Sequence, residues 1–218
     1  MDDNEKRTSA QVSESTGLED WRVLLRTLQS SFRTGSMAKG ISFATRISTA
    51  ADLADHHPDL TITYSRIHVL LTTHETNGLT KRDVDLARTI SALAAELRIA
   101  AEPTAVSQLE IAIDALDIPS VTPFWEAVLG YKPHRNGDIV DPHGRGPAFW
   151  FQQMDAQRPR RNRIHFDVTV PHDVAEQRIV AALAAGGTLV SDDRAPAFWI
   201  LADPEGNEAC ICTWQARG

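Results

Sequence analysis

Through the first hundred residues, polar and apolar positions alternate, then recur at helical spacing, then alternate again. Trp21, Val23 and Leu25 alternate with Arg22, Leu24 and Arg26, and a second short run, Ser31 to Thr34, ends at Gly35. The two runs fit a pair of antiparallel strands. The same stretch also fits one amphipathic helix from Leu18 to Phe32. Ser36 is placed to cap a helix in which Ile41, Ala44, Ile47, Ala51 and Ala54 recur at three- and four-residue steps. That helix must end before Pro58, because proline disfavours helical geometry in the residue ahead of it. Leu60, Ile62 and Tyr64 alternate with threonines, and Ile67, Val69 and Leu71 with His68, Leu70 and Thr72, which predicts two neighbouring strands. Thr80 then caps a helix from Lys81 to Leu97, striped by Leu86, Ile90, Leu93 and Leu97. The polar residues 1–17 are expected to form a mobile tail and residues 99–107 a linker.

From Gln108 the pattern repeats itself. Glu110-Ile-Ala-Ile-Asp opens with alternation, and so does His165-Phe-Asp-Val-Thr-Val. Each opening leads to a helix, Val121 to Leu129 before Gly130 and Val174 to Ala185 before Gly186-Gly187. Asp117 follows the first opening and His172 and Asp173 the second, at corresponding distances. Each half then holds an Asp-Pro-x-Gly turn, at Asp141 and Asp203, and an apolar strand. The expected order is βαβββ twice over. The fold class is therefore α+β: a domain at 18–98 with helices on one face of an antiparallel sheet, and a domain at 108–216 made of two paired modules.

Composition narrows the function more than the fold. A chain of 218 residues with 42% hydrophobic and 23% charged residues has room for two small domains. Its net charge of −7 argues against nucleic acid or an anionic membrane as the main partner. The short basic run Arg158 to Arg163 reads as a solvated loop. The two cysteines, Cys210 and Cys212, fall on one face of a strand, a poor geometry for a disulfide. No apolar run reaches the length of a membrane span and the start of the chain lacks a signal-peptide pattern, so a cytoplasmic protein is expected.

Four of the eight histidines lie between Asp52 and Asp83. His56 and His57 are adjacent at a helix end, before Pro58, and His74 closes a strand. Imidazole both gives and takes protons near neutral pH, so this convergence suits general acid–base chemistry. The pattern of Asp55, His56, His57, Pro58, Tyr64, His68, His74, Gly78, Leu79, Thr80 and Asp83 resembles the pterin-4a-carbinolamine dehydratases, from Trp21 to about Leu97. The resemblance implies dehydration of a 4a-hydroxy-tetrahydropterin, with His56, His57 and His74 as catalytic residues and no cofactor required. It places Asp52, Asp55, Thr72, Thr73 and Asp83 as candidates for binding the substrate or orienting an imidazole, and it implies a homo-oligomer, dimer or tetramer. His68 reads as structural, and charge complementing a helix N-terminus is the plainer role for Asp83. The chain departs from the family at Leu60, where some members carry Trp, at Asp52, where Glu is usual, and at Asn77. The family's first helix is largely missing from the polar segment before Trp21.

In the second half, FWEAVLGY (Phe124 to Tyr131) and LADPEGNEACIC (Leu201 to Cys212) resemble the vicinal oxygen chelate superfamily, in its glyoxalase/bleomycin-resistance branch. That resemblance implies a cup-shaped sheet with a site inside. The family's metal-ligand positions fall on Glu110, His165 and Cys210, with Gln152 near a fourth. Mixed ligands of this kind make a poor site for a hard divalent cation but could hold zinc if they converge, and a metal-free pocket or a structural partner domain is the plainer reading. Trp125, Trp150 and Trp199 are available to line an apolar cup, with core packing the plainer role for each. Glu110, His165, Cys210 and Trp150 are the candidate pocket residues. Two other readings stand beside the dehydratase: a non-catalytic dimerisation and small-ligand-binding protein, and a metal-dependent lyase or dioxygenase in the second domain.

Overall fold

The computed structural model describes residues 5–156, 165–170, 173–213 and 215–216. The chain divides into two compact units, Met1–Gln108 and Leu109–Gly218. The Arg158–Arg163 run and His172 lie outside the described residues.

In the first unit the alternation at Trp21 resolves as a hairpin. β1 (Arg22–Leu24) pairs antiparallel with β2 (Thr27–Arg33), and Leu24 faces Thr27 across a turn where Leu25 adopts φ 53°. Backbone pairing on both sides of β2, with β1 and β4, decides for strands over a helix, and Leu28 and Phe32 enter the core from one face. β2 starts at Thr27, four residues before the expected Ser31. α2 (Met37–Ala54) is capped by Ser36, whose side chain accepts from the Lys39 amide. Its buried stripe is Gly40, Phe43, Ile47 and Ala51, so Phe43 takes the core place expected of Ile41, which is 54% exposed. β3 (Asp59–Thr63), β4 (Arg66–Leu71), α3 (Lys81–Glu96) and β5 (Ala100–Ala101) follow. The sheet runs β1-β2-β4-β3 with β5 also on β2, antiparallel throughout. Phe32, Phe43, Ile47, Ile67, Leu71 and Ile90 close the core between sheet and helices.

Two sequence expectations are overturned in this unit. The segment expected to be a mobile tail packs against the fold: α1 (Ser9–Ser13) starts in a capping box of Thr8 and Gln11, and Val12 is fully buried in the core. One buried valine and local caps suffice to seat an otherwise polar segment. The expected linker also belongs to the unit, since β5 pairs with β2 and Ile99 joins the core. Glu102 lies between Arg33 and Arg66, accepting from Nε of each. Those hydrogen bonds, Arg66 first, hold its carboxyl below the ordinary carboxylate range.

The second unit is the expected repeat. β6 (Glu110–Ala115), α4 (Ile118–Leu129), β7 (Lys132–Pro133), β8 (Ile139–Val140) and β9 (Ala148–Gln153) form one module. β10 (Phe166–Thr169), α5 (Ala175–Ala184), β11 (Thr188–Ser191), β12 (Phe198–Ala202) and β13 (Glu208–Cys212) form the other. Their sheets have matching orders, β6-β9-β8-β7 and β10-β13-β12-β11, with first and last strands parallel in each. The turn after β12 ties the modules together. Asp203 accepts from the amides of Glu205 and Asn207 and from the Trp125 indole N–H at 3.0 Å. The Glu205 carboxylate accepts from the amides of Leu116 and Asp117, where α4 begins, as an anion suits a helix N-terminus. Trp125 takes the core role expected of it as the plainer reading and is fully buried. No helix among the described residues is long and apolar enough to cross a membrane.

Candidate functional site

The histidine cluster of the first unit is assembled by three element ends. α2 stops at Ala54 because Asp55 turns left-handed, φ 46°, and the His56 amide returns to the Ala51 carbonyl. That reversal aims the His56 ring inward, where it is 6% exposed, and leaves His57 62% exposed. The Asp55 side chain is exposed, and its backbone carbonyl accepts from the Arg82 guanidinium on α3. β4 ends at Leu71, and Thr73 and Gly78 close a small loop by mutual backbone bonds, which holds His74 at the surface.

A buried carboxylate joins these ends. Asp83 is fully buried on the first turn of α3, and His56 Nε2 lies 2.8 Å from its Oδ1. Its Oδ2 accepts from the Thr80 amide at 2.7 Å and from the Thr73 hydroxyl at 2.8 Å. The Thr73 and Thr80 hydroxyls are themselves 2.9 Å apart. An ionised carboxylate only accepts, so in this pair Nε2 of His56 donates to Asp83. Asp83 therefore holds His56 on one side and Thr73, the residue before His74, on the other.

The site expectations divide accordingly. Asp83 and Thr73, candidates for substrate contact, are buried and spend their polar atoms on each other, on His56 and on Thr80. They tie the His56 ring to the segment that carries His74. The Thr72 hydroxyl donates to the carbonyls of Arg26 and Gly78, so it braces the same loop. Asp52 does meet a histidine: its Oδ1 is 3.0 Å from Nε2 of His57, with both groups exposed. Thr80, read from sequence only as a helix cap, belongs to the network. The spacing Thr80-x-x-Asp83 is a capping-box signature and was the available signal. The N-terminal segment buttresses the loop, since the Arg7 amide donates to Leu79 and the Lys6 ammonium to the Asn77 carbonyl.

In the second unit, Glu110 and Trp150 lie on one face of the first module's sheet, by the pairing of Glu110 with Ala148 and of Ala112 with Trp150. Trp150 is 37% exposed. His165 and Cys210 come together in the second module, joined by Asp167, which the sequence reading passed over. His165 and Asp167 are two residues apart at the start of a strand, so they share a face. Glu110 is not among this group, and Gln152 lies on β9 in the first module's sheet. Burial raises the Cys210 thiol to about 12, with the nearby Asp167 carboxylate adding to the effect.

Residues 5–93 match the family model described as pterin 4 alpha carbinolamine dehydratase, and residues 110–212 match one described as a glyoxalase-like domain. A relative provisionally named pterin-4-alpha-carbinolamine dehydratase, from Thermomicrobium roseum, is 50% identical over 56 residues, which span 26% of this chain and 60% of that protein. A second so named, from Thermosynechococcus vestitus, is 40% identical over 77 residues, 35% of this chain and 81% of that protein. A solved transcriptional coactivator/pterin dehydratase from Brucella melitensis is 28% identical, with a TM-score of 0.40 over 41% of this chain and 99% of its own. A glyoxalase/bleomycin resistance protein/dioxygenase family enzyme from Burkholderia phytofirmans is 17% identical, with a TM-score of 0.41 over 48% of this chain and 95% of its own.

Proposed function

The chain belongs to the pterin-4a-carbinolamine dehydratase family through its first unit, and from that premise we propose that it dehydrates a 4a-hydroxy-tetrahydropterin by histidine acid–base catalysis. The reaction breaks the C4a–O bond and the N5–H bond, forms the C4a–N5 double bond of the quinonoid dihydropterin, and releases water. One group delivers a proton to the departing hydroxyl and another takes the proton from N5. No cofactor enters this balance. The observation that carries the reading is the Asp83 carboxylate, which grips both His56 and the Thr73 that precedes His74, while His57 and His74 face solvent. A substrate at this surface meets His57 and His74 directly. Asp83 fixes the orientation of the His56 ring behind them. Asp52 performs the same orientation for His57 at the surface.

The test is stopped-flow turnover of 4a-hydroxy-tetrahydropterin by the wild type and by His74→Ala. The wild type accelerates dehydration, and the variant loses at least about 10²-fold, the contribution of one positioned acid or base. A folded wild type no faster than the uncatalysed reaction defeats the proposal. Within the same proposal the chain acts as a homo-oligomer, dimer or tetramer. Met37 and Ile41, 42% and 54% exposed one turn apart on α2, supply apolar surface for it. Sedimentation of Ile41→Asp against wild type tests this: the variant moves toward the monomer, and an unchanged mass removes that pair as the contact.

A second reading assigns the glyoxalase-like domain to small-ligand binding. The exposed Trp150 favours it, sharing a sheet face with Glu110. Quenching of indole fluorescence that Trp150→Ala abolishes is the expected signature.

A further inference from the structure

We propose that a cavity between α1 and β1 in the first unit binds a free α-amino acid with an apolar side chain. The inference is independent of the dehydratase proposal, and none of the residues lining the cavity belongs to the histidine cluster.

The N-terminal segment builds the cavity by packing down. α1 and the turn after it face β1 and the start of β2 across a space of about 360 Å³. Small-ligand pockets run from roughly 300 to 1,000 Å³, so this one suits a small molecule. Val12, Leu18, Trp21 and Leu28 make its floor, each at most 8% exposed. The Trp21 indole N–H is spent elsewhere, donating to the Ser91 hydroxyl on α3 at 3.0 Å. The floor therefore offers carbon surface, and an apolar group that leaves water to lie on it gains by burial.

The mouth carries one charge of each sign. Glu19 and Arg22 both line the cavity, both are exposed, and no ion pair joins them. The Arg22 guanidinium folds back instead, and its Nη1 donates to the carbonyls of Glu19 at 3.1 Å and of Trp21 at 2.6 Å. Those bonds hold the cation at the mouth and leave the edge formed by Nε and Nη2 for an acceptor from outside. An apolar floor with a guanidinium and a carboxylate at its mouth matches a zwitterion whose third substituent is apolar. Arg22 takes the α-carboxylate through two parallel N–H bonds, a geometry lysine does not offer. Glu19 takes the α-ammonium, and the side chain lies on Trp21 and Leu28. A carboxylic acid without an amine leaves Glu19 unmatched, and an amine without a carboxylate leaves Arg22 unmatched. Binding makes and breaks no covalent bond.

Calorimetric titration of the full chain with L-leucine and with L-phenylalanine tests the site. One equivalent binds with a dissociation constant in the millimolar range or tighter. Leucinamide, which lacks the carboxylate, and 4-methylpentanoate, which lacks the ammonium, each bind about tenfold or more weakly than L-leucine, the effect of one charge-assisted contact. Arg22→Met and Glu19→Gln, at exposed positions that folding does not depend on, each weaken L-leucine by a similar factor. Glu14→Gln, on the same segment but outside the lining, binds as the wild type does. Three results overturn the proposal: no binding of either amino acid at millimolar concentration, leucinamide and 4-methylpentanoate bound as tightly as L-leucine, or affinity unchanged in both Arg22→Met and Glu19→Gln.

Discussion

Each unit of this protein pairs a histidine Nε2 with an aspartate Oδ1, and burial makes them different devices. In the first unit His56 and Asp83 are 2.8 Å apart, 6% and 0% exposed. In the second, His165 and Asp167 are 3.5 Å apart, 58% and 55% exposed. The buried carboxylate has lost its water, so every lone pair must find a protein donor, and Thr73, Thr80 and His56 supply them. The result is a rigid joint between two helices and a loop. The exposed pair keeps its water and costs little to rearrange. Identical residue types thus lock a buried ring in one place and leave a loose surface pair in the other.

The strongest way to break this comparison is to remove each carboxylate. Asp83→Ala strands a buried imidazole and the Thr80 amide, and it should cost about 3–5 kcal/mol of stability. Asp167→Ala in metal-free protein should stay within about 0.5 kcal/mol of wild type. Urea unfolding, with hydrogen exchange to assign each transition to its unit, reads both. Equal effects would end the distinction.

The two adjacent histidines sharpen it. His57→Ala should lower dehydration by about 10²-fold or more with stability unchanged, because its ring is exposed. His56→Ala should lower turnover and stability together, since it leaves Asp83 buried without that donor. Turnover and unfolding measured on the same preparations separate the roles, and a His56→Ala protein as stable as wild type would argue against the buried joint.

Smaller effects probe how the joint is supported. Val12→Ala removes two fully buried carbons and should cost about 1.5–2.5 kcal/mol, where a mobile segment would cost nothing. Calorimetric unfolding checks it. Glu102→Gln should loosen the 100–106 segment in hydrogen exchange at neutral pH. Glu102 has a lowered folded value, so its contribution is present above the ordinary carboxylate range and is lost as pH falls through that value. Wild type and variant should therefore converge in acid. A difference that persists there would assign the effect to something other than the charge.

Much of the fold was legible because it depends on short-range patterns. The Ser36 and Thr80 caps, the alternation of β4 and the repeated βαβββ order are all set within a few residues, and each element appears where its pattern points. Two mismatches have one cause. Ile41 and Phe43 both satisfy a helical stripe, and the sheet beneath α2, with Phe32 and Ile67, decides which turns inward. The polar N-terminus gave little local signal, yet a single buried valine and backbone bonds to the His74 loop seat it. The choice between a hairpin and a helix at Trp21 was likewise open until β4 and β5 offered β2 partners for its hydrogen bonds.

What the amino-acid order determined by itself is the inventory of chemistry: adjacent histidines at a helix end, a third after a strand, and a cysteine strand in a repeated module. Chain-local geometry fixes those placements, through caps, proline and the two-residue period of strands. Only tertiary structure decided that Asp83 is buried against His56, and that Asp167, not Glu110, stands beside His165 and Cys210. Burial and contacts across 27 and 43 residues of chain set those roles, through the loss of water around one carboxylate and the parallel pairing of two distant strands around the other.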